Sequence, residues 1–150
     1  MGIALLLHLL GVVVWVGGMF FAYMALRPVA ATVLEPPQRL SLWVGVFGKF
    51  FPWVWLSIAL ILGSGLYMLM ALGGASAPLY VIAMLVLGVV MMLIFAHVFF
   101  AAFKKLKRAV AEQAWATGGT ALAQIRMLIG INLSLGLITV VVAILGRAFA

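Results

Sequence analysis

The sequence contains no cysteine and only two acidic residues, Glu35 and Glu112, and charged side chains make up 7% of its 150 positions. Without cysteine the chain cannot form disulfides, thiolate metal sites or iron–sulfur clusters held by the usual ligands. Without aspartate, and with both glutamates outside the apolar runs, it has neither a catalytic triad nor a carboxylate pair. The "GGASAP" segment at 73–78 lacks the lysine of a phosphate-binding loop. These absences exclude the common hydrolases and nucleotide-binding sites.

Long apolar runs dominate what is present, since 69% of the residues are hydrophobic. A helix needs about 20 apolar residues to cross roughly 30 Å of hydrocarbon, and its backbone groups are then paired within the segment. We predict an all-α integral membrane protein, in which residues 1–150 form a single membrane domain: an antiparallel bundle of four transmembrane helices. The predicted helices cover residues of about 3–26, 52–72, 79–103 and 127–145. The first run has no basic n-region and is longer than the apolar part of a signal peptide, so we expect it to be a mature helix.

Proline and glycine set the predicted helix boundaries. The prolines between 28 and 37 cannot continue a helix ladder, which predicts that helix one ends near Leu26. Gly118 and Gly119 predict a turn before helix four. An additional interfacial helix is predicted at about 38–51, before Pro52 begins helix two. Its apolar residues recur at helical spacing and are Leu40, Trp43, Phe47 and Phe50.

Basic residues are concentrated in two of the connecting segments. Three lie between helices one and two and five between helices three and four; they are Arg27, Arg39, Lys49, Lys104, Lys105, Lys107, Arg108 and Arg126. By the positive-inside rule both segments face the cytoplasm, so we expect a multi-pass protein of the bacterial inner membrane with both termini outside. The net charge of +7 also favours anionic lipid. The expected partner is the lipid bilayer and not nucleic acid, while a homo-oligomer or a membrane partner protein stays open.

Two histidines lie inside predicted spans, where an ionisable group is functional by default because an unpaired one is costly. At about 1.5 Å per residue, His8 lies about 8 Å inside the outer boundary and His97 about 9 Å from the inner end. These opposite depths argue against a simple bis-histidine site. His8 shares a narrow helical stripe with Gly11, Trp15 and Gly18. The stripe has two interpretations: close packing against another helix, or a groove that admits a flat cofactor edge-on.

The nine methionines also have two interpretations. Thioether sulfur is a soft ligand that suits Cu(I), whereas methionine also fills irregular apolar gaps. No closely repeated Met-x-x-Met pattern is present. Met68 and Met84 share the predicted depth of His8, so they are the methionines expected to accompany it.

Two short motifs resemble known families. "HLLGVVVWVGG" at 8–18 resembles the first-helix signature of the CopD-type (copper resistance D) membrane proteins. His8, Trp15, Gly18 and Phe20, with "AHVFFAAFKKLKR" at 96–108, also resemble the HemJ-type protoporphyrinogen oxidases. The resemblance implies a small four-helix bacterial membrane protein of a haem- and copper-associated superfamily. HemJ-type enzymes carry a lysine early in helix three, whereas residues 79–88 are uncharged here, which argues against that enzyme activity.

Three functions remain open. In the first, the bundle binds b-type haem in a redox or haem-handling role, with His8 as an axial ligand and either Met68 or Met84 opposite or the opposite position left open. In the second, which the CopD resemblance favours, it binds or transports Cu(I) through an outer layer and an inner layer of soft ligands. In the third, it is a cofactor-free membrane scaffold or subunit. The predicted cofactor-binding residues are His8, Gly11, Trp15, Gly18, Met68, Met84 and His97; the predicted metal ligands are His8, Met84 and His97, with Met19 and Met24 beside His97 in the inner layer.

The charge distribution predicts a labelling pattern. Because the chain has no native cysteine, a single introduced cysteine reports its own side of the membrane. Ser76→Cys should react with a membrane-impermeant maleimide in intact cells, and Thr117→Cys should react only after lysis. The reverse pattern would overturn the predicted orientation.

Overall fold

The computed structural model describes all 150 residues and contains four long helices joined by short turns. Each helix is long and apolar enough to cross a membrane, and no strand is present, which confirms the all-α prediction. With 32 to 36 residues each, the helices are about 48–54 Å long and therefore extend beyond a hydrocarbon core of roughly 30 Å. They are α1 (Gly2–Val33), α2 (Pro36–Ala71), α3 (Leu79–Ala111) and α4 (Trp115–Phe149).

Helix α1 continues past Pro28 rather than ending near Leu26 as predicted. The π-helical segment Ala22–Leu26 precedes the proline. The backbone amide of Arg27, the residue that follows this segment, donates to the carbonyl of Ala22. This pairing leaves the carbonyl of Tyr23 without the usual backbone donor. The Arg27 Nε donates to that carbonyl at 3.2 Å. A side chain thus satisfies the acceptor that the π-helical turn leaves free, and the helix carries on through the proline.

The predicted interfacial helix at 38–51 and the predicted helix two form one continuous helix, α2, with Pro52 inside it. Leu40, Trp43 and Phe47, which the spacing assigned to a membrane-surface helix, are buried against protein. Burying such side chains contributes about 1.5–3 kcal/mol each, and together they outweigh the roughly 3 kcal/mol that an internal proline costs. Tertiary packing therefore keeps α2 continuous through a residue that would end an isolated helix.

The turn between α3 and α4 lies at 112–114 rather than at Gly118 and Gly119. Gln113 provides the change of direction there, with a φ of 55°. Gly118 lies inside α4, where an added Cβ would come within 3.0 Å of Leu40 Cδ1 and 3.5 Å of Ala109 Cβ. Its role is to let three helices approach closely.

The helices pack as two antiparallel hairpins, α1 with α2 and α3 with α4. A cluster of aromatic rings, which we call the aromatic seam, joins the hairpins. The ring of Phe51 stacks on Phe47 at 5.0 Å and meets Phe103 edge-on at 5.0 Å, and such pairs add about 0.5–1.5 kcal/mol each beyond area burial. The seam consists of Trp43, Phe47, Phe51, Phe95, Phe99 and Phe103.

Burial is confined to one half and the middle of the bundle. The half that contains the aromatic seam also carries eight of the nine basic residues, and we call its tip the basic end. At the opposite tip, the open end, none of the residues 2–10, 65–90 or 137–150 is buried. Between the two ends, Gly136 packs against Val16 and Met91. We use the depth of this contact as the reference level from which distances along the bundle are counted. The packed core therefore stops partway along the helices.

Gly18 allows α1 to approach α2, since an added Cβ would collide with the ring of Phe50. Gly18→Ala should therefore lower the melting temperature of the detergent-solubilised protein, because overpacking typically costs about 1–3 kcal/mol. Gly17→Ala is the matched control, since nothing lies within 4 Å of that position. Thermal unfolding followed by circular dichroism measures both, and equal melting temperatures for the two variants would contradict this packing.

Candidate functional site

The His8 side chain is paired with α2. Its Nδ1 lies 3.1 Å from the Oγ of Ser64, and Ser64 is buried while His8 is half-buried. Gly65 makes room for the imidazole, because an added Cβ would lie 3.2 Å from His8 Cε1. Helix α2 therefore supplies both a hydrogen-bonding partner and a recess for the ring.

The hydroxyl of Ser64 favours one of the two tautomers of the His8 ring. Ser64 Oγ donates to the backbone carbonyl of Leu60, and a serine hydroxyl has only one proton to give. When Ser64 gives this proton to Leu60, its oxygen accepts from His8, which favours the tautomer with the proton on Nδ1. In a neutral imidazole the other nitrogen then holds a free lone pair. His8 presents its Nε2 as a ligand atom or proton acceptor.

Met68 lies on the same face of α2 as Ser64, one turn closer to the open end, and is half-buried. Met84 is also half-buried, but it lies on α3. Counted from the reference level, His8 and Met84 both lie about 10–12 Å toward the open end. In this half of the bundle α3 packs chiefly on α4. Met84 thus shares the depth of His8 but belongs to the other hairpin.

His97 lies apart from His8. Counted from the same reference level it is about 9 Å toward the basic end, so the two histidines are separated by about 20 Å along the bundle. The His97 side chain is exposed, and its Nε2 lies 3.4 Å from the side-chain amide nitrogen of Gln124. Met19 is 3% exposed in the core whereas Met24 is 54% exposed. The three side chains of the predicted inner layer therefore differ in burial, with only Met19 in the core.

The glycine stripe of α1 packs against protein. An added Cβ on Gly11 would lie 2.9 Å from Ile61 Cγ1, and Gly18 is covered by the ring of Phe50. Trp15, which is 2% exposed, packs in the core beside these glycines. Side chains of α2 fill the groove, so it offers no space for a porphyrin. The haem interpretation loses the observation that motivated it.

Asn132 makes a second interhelical contact. Its Nδ2 donates to the backbone carbonyl of Met91 at 3.0 Å and so ties α4 to α3. Its Oδ1 is buried without a partner. This contact indicates that Asn132 holds α3 and α4 together as the second hairpin.

Sequence reasoning missed Ser64 and Gly65, the two residues that hold the imidazole. A signal was present, since "GSG" at 63–65 interrupts an otherwise apolar run. Small residues flanking a hydroxyl inside a membrane helix indicate a close interhelical contact. Ser64 lies seven residues before the end of α2 and His8 six residues after the start of α1, so the two residues lie at similar depths.

The donor atoms near the depth of His8 are few. No group of three or more His, Cys, Asp or Glu side chains converges in the structure. The thioethers of Met68 and Met84 are half-buried at this end of the bundle, and a set of imidazole and thioether donors suits Cu(I).

The His8–Ser64 hydrogen bond should be measurable as a coupling energy. Ser64→Ala leaves the Nδ1 proton of His8 unpaired, and we expect a cost of about 1 kcal/mol or more. The cost should shrink when His8→Leu is already present, because the group left unpaired is then absent. Ser134→Ala is the control, since that exposed hydroxyl contacts only its own helix at Gly130. Equal costs of Ser64→Ala in both backgrounds would contradict the bond.

The profile of the family described as copper resistance protein D matches residues 44–145. No curated protein and no solved structure matches the chain. The matched residues comprise most of α2, all of α3 and most of α4, whereas His8 lies outside them. The family identified by this match is the one that the motif at residues 8–18 of the first helix resembles. The chain is a multi-pass membrane protein and belongs to the copper resistance protein D family.

Proposed function

We propose that this protein binds Cu(I) as its substrate at the open end of the bundle and passes it into the membrane domain. The observation that carries the proposal is the Ser64 hydrogen bond, which favours the tautomer of His8 with an unprotonated Nε2. A metal-binding histidine needs a free ring nitrogen and a second nitrogen held by a hydrogen bond, which orients the ring and fixes its tautomer. His8 meets both requirements.

The second ligand in this proposal is the sulfur of Met68. It lies on the face of α2 that carries Ser64, one turn further out, so both donors flank the same α1–α2 contact. Imidazole and thioether are acceptable ligands for Cu(I), which tolerates few ligands. In this proposal Met84, which lies at the same depth on the other hairpin, receives the Cu(I) ion next.

The position along the bundle supports entry from the open end. His8 lies closer to the open end than any buried residue of α1, and residues 2–10 are not buried. Basic residues cluster at the opposite tip, so the positive-inside rule puts His8 toward the outer face of the inner membrane. The metal would then meet a soft ligand before it reaches the cationic end.

A cofactor-free scaffold is the second candidate, and the same hydrogen bond favours it. An interhelical bond in a membrane stabilises by about 0.6–2 kcal/mol, which is sufficient reason for His8 and Ser64 to be paired. The two functions differ in one respect, because a scaffold has no use for a free Nε2 and predicts no selective copper binding.

Competition for Cu(I) against a chromophoric chelator, under anaerobic reducing conditions, tests the proposal on the purified protein. We expect one Cu(I) per chain, and His8→Leu should weaken binding about tenfold or more, the effect of losing one good ligand or its orienting partner. Met68→Leu should weaken it in the same direction. His97→Leu is the matched control and should bind as the wild type does, because His97 lies about 20 Å away.

The scaffold interpretation gives a different result. If His8→Leu retains wild-type Cu(I) affinity, or if His97→Leu weakens binding as much, copper binding at His8 is contradicted. An unchanged affinity together with a lowered melting temperature of His8→Leu would favour the structural role.

A further inference from the structure

A cleft of about 320 Å³ opens at the basic end between α1, α2 and α4. Its volume lies in the range of sites for small molecules. None of its lining residues is acidic. Its lining includes three arginines and four aromatic side chains, namely Arg27, Arg39, Arg126, Tyr23, Trp43, Phe47 and Trp115.

Arg39 carries a hydrogen-bond donor that the protein leaves unused. Its Nε is buried and has no partner, although Arg39 belongs to the cleft lining. An unsatisfied buried donor is costly, and more so on a charged group. The nearest acidic residue in the sequence, Glu35, does not neutralise the charge of Arg39 either, because Glu35 is exposed and does not line the cleft.

Arg27 is held in place beside the cleft. Its Nε donates to the Tyr23 carbonyl at 3.2 Å, and its guanidinium carbon lies 4.4 Å from the centre of the Tyr23 ring. The terminal nitrogens of this guanidinium are donors that the Tyr23 carbonyl does not use. Arg126 is exposed at the rim. The cleft therefore gathers three guanidinium groups, one of them anchored, without a carboxylate among them.

The other basic residues of this end form no such enclosure. The Nζ of Lys107 lies 4.7 Å above the ring of Phe103, and that of Lys104 lies 5.9 Å from the ring of Phe100. Both lysines are exposed, as expected of charges that set membrane topology. Three arginines in an aromatic-lined cleft are a different arrangement, because guanidinium forks match the oxygens of phosphate and the low-dielectric walls strengthen each contact.

We propose that this cleft binds a phosphate-bearing anion, either the headgroup of an anionic membrane lipid or a soluble phosphate. The anion oxygens accept from Arg39 and Arg126, with Arg27 held beside them. The proposal is independent of copper binding, since the cleft and His8 lie at opposite ends of the bundle.

Binding can be measured on the full chain in a neutral detergent. Native mass spectrometry compares retention of phosphatidylglycerol with that of phosphatidylcholine of the same acyl chains, and thermal unfolding compares inorganic phosphate with chloride at equal ionic strength. We expect Arg39→Gln and Arg126→Gln to weaken binding about tenfold, the effect of losing one charge-assisted contact. Arg108→Gln is the control, because it removes the same charge from the same end at an exposed position outside the cleft.

The outcomes separate the two sources and expose a failure. Selective retention of phosphatidylglycerol, without stabilisation by phosphate, identifies a lipid headgroup, whereas stabilisation by phosphate identifies a soluble anion. Binding of neither probe, or equal weakening by Arg108→Gln and Arg126→Gln, overturns the proposal. Arg126 is exposed, so its substitution keeps the test decisive if Arg39→Gln fails to fold.

Discussion

A polar side chain among apolar helices must find its partner inside the protein, and this requirement fixes how the helices face one another. Ser64 gives its proton to Leu60 and accepts from His8, which sets the rotation of α1 on α2. Asn132 donates to the Met91 carbonyl and sets α4 on α3. Without water, the alternative to each bond is an unpaired group that costs several kcal/mol. Each hairpin therefore has a polar contact between its two helices that involves a buried side chain.

Apolar packing then joins the two hairpins. The aromatic seam fills the half of the bundle nearest the basic end, and glycines elsewhere admit rings and branched side chains between helices, as Gly18 admits Phe50. This core stops short of the open end, where His8 lies. The division gives the molecule a closely packed half with a cationic cleft and a less buried half with the His8–Ser64 pair, so these two polar features lie at separate depths.

Much of this was readable from the sequence. Uncharged runs predicted four helices, and counting residues placed His8 and His97 at different depths, because rise per residue is nearly constant. Boundaries were harder to predict: Pro52 remains inside a helix and Gly118 packs instead of turning, since tertiary contacts override local preference. The partner of His8 was out of reach for a further reason. Which face of α2 meets α1 depends on helix rotation, and apolar periodicity carries little information when nearly every residue is apolar.

The central claim is that Ser64 leaves His8 as a neutral imidazole with a proton on Nδ1 and a free Nε2. Nitrogen-15 NMR of histidine-labelled protein tests it most directly, with His97→Gln used so that His8 gives the only signal. We expect the resonance pattern of the Nδ1–H tautomer, with the unprotonated Nε2 resonance shifting when Cu(I) is added. A proton on Nε2, or a spectrum that Cu(I) leaves unchanged, would contradict the account.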